Sequence, residues 1–251
     1  MFLFKKKKVT LDCFINVKTI HSLFKIDHAI KFAPKEWKTF PGTVDLKVSE
    51  DPTSKLTAPY ATIRKCVGLS SLFTTGFIIP SWTDFGLEIM PDGKCNKHDP
   101  INNLNIDSHP RFLHWNNLYK DWQHVKIYSP WLLRETSGVQ FMWNQCDWHN
   151  TDRVDKFHVL SGIVDYKAQH GSHVNVFMKK GSMVQIQAGD PLVHLVPITD
   201  KEVDIQCHLI NDQEYRKIYK DYAERSTYSG HHKAMLNAPS EKRCPFRIFG
   251  V

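Results

Sequence analysis

Between residues 138 and 210 the sequence runs in short stretches of alternating apolar and polar side chains, each closed by a turn. Residues 138–145 and 159–166 read as strands. Val174, Val176 and Met178 then alternate with Asn175, Phe177 and Lys179, and Lys180-Gly181-Ser182 makes a tight connection. In residues 183–187, Val184 and Ile186 face one way and Gln185 and Gln187 the other, because successive strand side chains point to opposite faces. Ala188-Gly189-Asp190-Pro191 is a turn, followed by strands over 192–198 and 203–210. In the last of these Val203, Ile205, Cys207 and Leu209 form an apolar face opposite Asp204, Gln206 and His208. A helix needs a 3.6-residue period over ten or more residues, so such a succession folds only as sheet. It predicts a mainly β (α+β) protein with an antiparallel sandwich or jelly-roll-like core.

The rest of the chain adds to that core. Val9, Leu11, Cys13 and Ile15 predict a first strand over 8–16, and residues 77–82 and 85–90 predict two more. Residues 18–40 fit short helical turns, with Pro34 opening the one that carries Trp37. Residues 41–60 read as a loop from their prolines, serines and threonines. Residues 94–124 are polar and irregular, an insertion with a short helix near Trp115 and Trp122. Asn211 caps a final helix through about Arg225, with Asp212 and Glu214 in its first turn. The organisation is one sandwich domain over 1–251, with a basic arm at 1–8 and an extended tail at 226–251.

The formal charge is +7, but its placement matters more than its size. Residues 1–40 carry +6, residues 211–251 carry +3, and the centre is left at −2. A nucleic-acid-binding domain spreads basic groups over a folded face; here they sit at the ends. Nucleic-acid contact is therefore expected only through the arm, at Lys5, Lys6, Lys7 and Lys8. Those lysines follow the apolar residues 1–4, the reverse of a secretory signal. Apolar runs such as residues 77–80 are far shorter than the ~20 residues that cross a bilayer, so no membrane is expected. The six cysteines are never closer than 29 residues. That spacing excludes a Cys-x-x-Cys zinc or redox motif and predicts buried, inert thiols.

Fourteen histidines are the unusual feature of the composition, and they supply the metal candidates. A jelly-roll iron oxygenase needs two imidazoles and a carboxylate converging on one ion. His173-Val174-Asn175 has the same-face spacing of two such ligands, with Asn in place of the carboxylate. His194 lies on a later strand, where a third ligand would sit. His170 stands three residues before His173, with Gly171 able to relax the geometry. Asp147-Trp148-His149 has the spacing in reversed order. The competing reading is that these imidazoles hydrogen-bond within a polar face or line a groove. Phosphate loops, dinucleotide fingerprints, the Gly-x-Ser-x-Gly elbow and His-Glu-x-x-His are all absent. Trp115, Trp122, Trp131, Trp143 and Trp148 are candidates for a stacking platform, although Trp143, alternating with Phe141, reads as core.

Several segments carry a resemblance. They are Ser129-Pro130-Trp131-Leu132-Leu133, Gly162-Ile163-Val164-Asp165-Tyr166, His173-Val174-Asn175, Ala188-Gly189-Asp190-Pro191-Leu192-Val193-His194, the Val9-Thr10-Leu11-Asp12-Cys13-Phe14 start and the Cys244-Pro245-Phe246 end. Together they resemble an uncharacterised family encoded by tailed bacteriophages, cyanophages in particular. The resemblance implies a viral protein, in the virion or the host cytoplasm, and brings no site residue with it. The expected function is a non-enzymatic β-sandwich protein, either a structural component of the virion or an accessory binding module. Its expected partners are other phage proteins or further copies of itself. The alternative is a jelly-roll oxygenase of the Fe(II)/2-oxoglutarate type.

Overall fold

The computed structural model describes residues 8–48, 55, 57–102, 104–109, 120–149, 153–167 and 171–226. In chain order the elements begin with β1 (Val9–Ile15), α1 (Lys18–Leu23), β2 (Asp27–His28), α2 (Ala29–Phe32) and α3 (Lys35–Thr39). A hairpin, β3 (Thr43–Lys47) and β4 (Thr57–Ala61), precedes α4 (Val67–Thr75), β5 (Phe77–Pro80) and β6 (Phe85–Ile89). Next come β7 (Cys95–His98), β8 (Asn105–His109), β9 (Trp122–Tyr128), β10 (Leu132–Arg134) and β11 (Gln140–Gln145). The last strands are β12 (Phe157–Val159), β13 (Gly162–Asp165), β14 (Val174–Lys179), β15 (Ser182–Ile186), β16 (Pro191–Ile198) and β17 (Val203–Leu209), and α5 (Asp212–Ser226) ends the described chain.

The fold is mainly β, a sandwich-like arrangement of mostly antiparallel sheets with short peripheral helices and a longer C-terminal one. The sheets run β10–β1–β17, β13–β11–β16–β5–β2, β12–β14–β9–β8 and β15–β6–β7, with β3–β4 as a separate ribbon. Alternating side chains from the first four sheets meet in one apolar cluster. Leu11, Phe77, Leu87, Val125, Phe141, Val176 and Leu195 are among its most buried members. Trp131 and Trp143 belong to it as well, and the Trp143 indole N–H donates to the Tyr166 hydroxyl at 2.8 Å. Burying one such large side chain stabilises by about 1.5–3 kcal/mol, which is why the alternating pattern dominates the fold.

The N-terminal end of α5 has reciprocal capping: Asn211 Oδ1 accepts from the Glu214 amide at 2.9 Å, and Glu214 Oε2 accepts from the Asn211 amide at 3.1 Å. No described helix is long and apolar enough to cross a membrane.

Five expectations need correction. β1 and β17 pair in parallel, because strands at opposite ends of the chain are not constrained by a hairpin turn. Residues 41–60 contain the β3–β4 hairpin, whose largely exposed faces give no alternating signal. Residues 94–124 contain β7, β8 and the start of β9, with Trp122 on a strand rather than a helix; Trp115 lies outside the described residues. The run at 159–166 is two strands, since the chain leaves the sheet of β14 after Val159 and joins β11 from Gly162. Leu209 is 44% exposed, because β17 is a sheet edge and its last residue has strand cover on one side only. The tail at 226–251, beyond the last residue of α5, and all of the basic arm except Lys8 lie outside the described residues.

Candidate functional site

The turn between β15 and β16 builds the most developed site. Gly189 has φ +91°, a left-handed value that favours glycine. Its amide donates to the Ser81 carbonyl at 2.8 Å, while the Ser81 amide donates to the Asp190 carbonyl at 2.8 Å. Two carboxylates staple the loop: Asp84 Oδ1 accepts from the Ala188 amide at 2.7 Å, and Asp190 Oδ2 from the Gln187 amide at 3.1 Å. Asp190 also meets His149 Nε2 at 3.1 Å and the largely buried Arg153 guanidinium at 3.4 Å. Beside this cluster opens a cleft of about 930 Å³, lined by Phe24, Asp84, His98, His149, Gln185 and Gln187. Val184 and Ile186 are buried while Gln185 and Gln187 are exposed, as the alternation predicts. Amides, imidazoles and an aromatic ring suit a polar ligand carrying several hydrogen-bonding groups.

Among the described residues, the predicted metal ligands do not converge on one point. His194 lies on β16, paired with Asn144 of β11 and Ile78 of β5, and is fully buried. Its ring sits edge-on to Trp148 at 5.2 Å. Neither ring nitrogen has a partner in hydrogen-bond geometry. Burial pushes its pKa down to about 4, while the Leu72 backbone pulls partly the other way. His173 precedes β14 in a different sheet, edge-on to Tyr128 at 4.6 Å. Burial, with Lys126 adding to it, brings its pKa to about 4 as well.

Asn175, the expected partner of His173, faces His124, whose Nε2 is 3.2 Å from Asn175 Oδ1. The Asp147-Trp148-His149 segment is a turn rather than a strand, since β11 ends at Gln145 and the His149 amide donates to the Cys146 carbonyl at 3.0 Å. The three side chains therefore diverge: Asp147 is exposed, Trp148 packs on Phe73 at 5.0 Å, and His149 turns to Asp190. His170 lies outside the described residues. Among the described residues no group of three or more His, Cys, Asp or Glu is placed to hold a metal ion.

Two features escaped sequence reasoning. The Asp190–Arg153 pair unites distant segments that no motif connects. The outer face of β9 carries Trp122, His124, Lys126 and Tyr128, while Gln123, Val125 and Ile127 point inward. On that face Trp122 meets His158 at 4.8 Å, His124 stacks on His109 at 4.8 Å, and Lys126 lies 5.0 Å from the Tyr128 ring centre. The alternation of His124, Val125, Lys126 and Ile127 was the available signal, at the end of the stretch read as irregular (94–124) and just beyond it. No protein-family model matches the chain, and no curated protein matches it.

Proposed function

We propose that the chain is a non-enzymatic, phage-encoded β-sandwich protein, a structural component of the virion or an accessory binding module, which uses the cleft beside the 187–190 turn as its contact surface. The observation that carries this reading is how the cleft carboxylates are used. Asp84 and Asp190 accept from backbone amides of the turn, and Asp190 is also held by Arg153 and His149. A carboxylate committed to its own fold is poorly placed for general acid–base or ligand duty. Gln185, Gln187 and His98 project as contact groups instead. The phage origin rests on the sequence resemblance, and the expected partners are other phage proteins or further copies of the chain. Lys8, the described member of the basic arm, pairs with Asp204 at 3.1 Å and Glu202 at 3.7 Å, which supports a folded role for it over a nucleic-acid contact.

Mass spectrometry of purified particles, with affinity capture by the tagged protein from infected cells, tests this reading. The expected result is the chain at constant copy number in particles, or one captured partner that is lost in a Gln185→Glu/Gln187→Glu variant. Absence from particles together with no partner would overturn it, and so would stoichiometric iron accompanied by oxygen-dependent turnover of 2-oxoglutarate.

A further inference from the structure

The β1–β17 pair joins the first and last of the described strands, and its register sets Cys13 beside Cys207. Neighbouring strands lie about 4.8 Å apart, inside the roughly 4.4–6.8 Å between Cα atoms that a disulfide spans. Both side chains take the same face: Cys13 is buried in the main core, and Cys207 packs against that core from the sheet edge. Both are free thiols. The separation in sequence that predicted isolated, inert cysteines is removed by the parallel pairing.

We propose that Cys13 and Cys207 are a redox pair that closes to a cross-strand disulfide on exposure to a small-molecule disulfide oxidant, tying β1 covalently to β17. The roles of the two sulfurs follow from their surroundings. Cys207 is the more accessible; the Cys13 thiol beside it and, next, the Lys25 ammonium hold its pKa below the ordinary thiol range. Burial pushes the Cys13 thiol well up.

Cys207 therefore attacks first, as thiolate, on one sulfur of the oxidant. The oxidant's S–S bond breaks, a mixed disulfide forms on Cys207, and one small thiol leaves with the proton Cys207 has lost. Cys13 then gives up its proton and attacks the Cys207 sulfur, and the second small thiol departs with that proton. Two protein thiols are oxidised and one small disulfide is reduced to two thiols, so the step balances. The bond closes a loop spanning most of the chain, which removes freedom from the unfolded state and raises thermal stability. The other described thiols are less suited: Cys95 is pushed by burial up to about 11, Cys146 higher still, and Cys66 is exposed on a separate segment.

The test uses the folded, full-length protein and oxidised glutathione. After incubation the remaining thiols are alkylated, and the protein is digested without reduction and mapped by mass spectrometry. The expected map joins the Cys13 and Cys207 peptides, and Tm rises in a way that dithiothreitol reverses. In Cys13→Ser the glutathione stays on Cys207, because the resolving thiol is gone. In Cys207→Ser, which alters only a half-buried position, both the cross-link and the Tm gain disappear. Recovery of Cys13 and Cys207 as alkylated thiols from the oxidised wild type, or Cys207 joined to a different cysteine, would overturn the proposal.

Discussion

Asp190, in the turn just before β16, and His194, in the middle of that strand, are polar groups four residues apart in opposite surroundings. Asp190 accepts from a backbone amide and meets a guanidinium and an imidazole. His194 is fully enclosed, with an indole edge on one side and Gly76 so close that a Cβ there would lie 1.9 Å from its Nε2. The first arrangement holds a charge by surrounding it with donors. The second holds an imidazole by keeping it neutral. The same contrast separates His149, whose Nε2 lies 3.1 Å from an Asp190 oxygen at the cleft, from His194. Residue type alone therefore does not mark a ligand; the partners do.

Gly76→Ala strikes the His194 enclosure hardest. The added methyl drives into His194 Nε2 and stands 3.0 Å from the Leu195 carbonyl. A loss of about 3 kcal/mol is expected by urea denaturation, in the upper range for overpacking. Coupling it with His194→Ala recovers part of the loss, because the two side chains compete for one space.

Acid weakens the His194 pocket next. Its pKa of about 4 in the folded protein lies below the ordinary 6.5, so the unfolded chain binds the extra proton between those values. Stability is then complete above pH ~6.5 and falls as pH drops toward about 4, by about 2–3 kcal/mol from this group. Urea midpoints recorded across that window fall steeply in the wild type and less so in His194→Leu.

On the other side of the comparison, Asp190→Ala strips the Gln187 amide, Arg153 and His149 of a common partner. It is expected to cost about 2 kcal/mol, chiefly through the guanidinium left buried, read in the same denaturation experiment. Asp147→Ala, at an exposed turn position, stays within about 0.5 kcal/mol of wild type.

How far the sequence spoke follows the same division between enclosed and open surroundings. β1, β5, β6 and β14 to β16 were legible because one or both faces of each are buried, which writes a pattern into the residues, and β17 because its half-buried apolar face packs against the same core. The β3–β4 hairpin and the β7 and β8 strands are largely exposed and held by backbone pairing, which leaves no such pattern. At the cleft, Gln185 and Gln187 were legible as an outward pair. Asp190 with Arg153, and Cys13 with Cys207, were not, since sheet order and register decide them and neither is encoded locally. The spacing of His173 and Asn175 was read correctly as one face, but that face meets His124 of β9 rather than His194.

Whether His173 and His194, set in different sheets, can share one ion is the question on which the site turns. Anaerobic dialysis of the full-length protein against Fe(II), followed by metal analysis of wild type and His173→Ala/His194→Ala, tests it most directly. No stoichiometric iron is expected on either protein. One iron per chain on the wild type, lost in the double variant, would contradict that expectation.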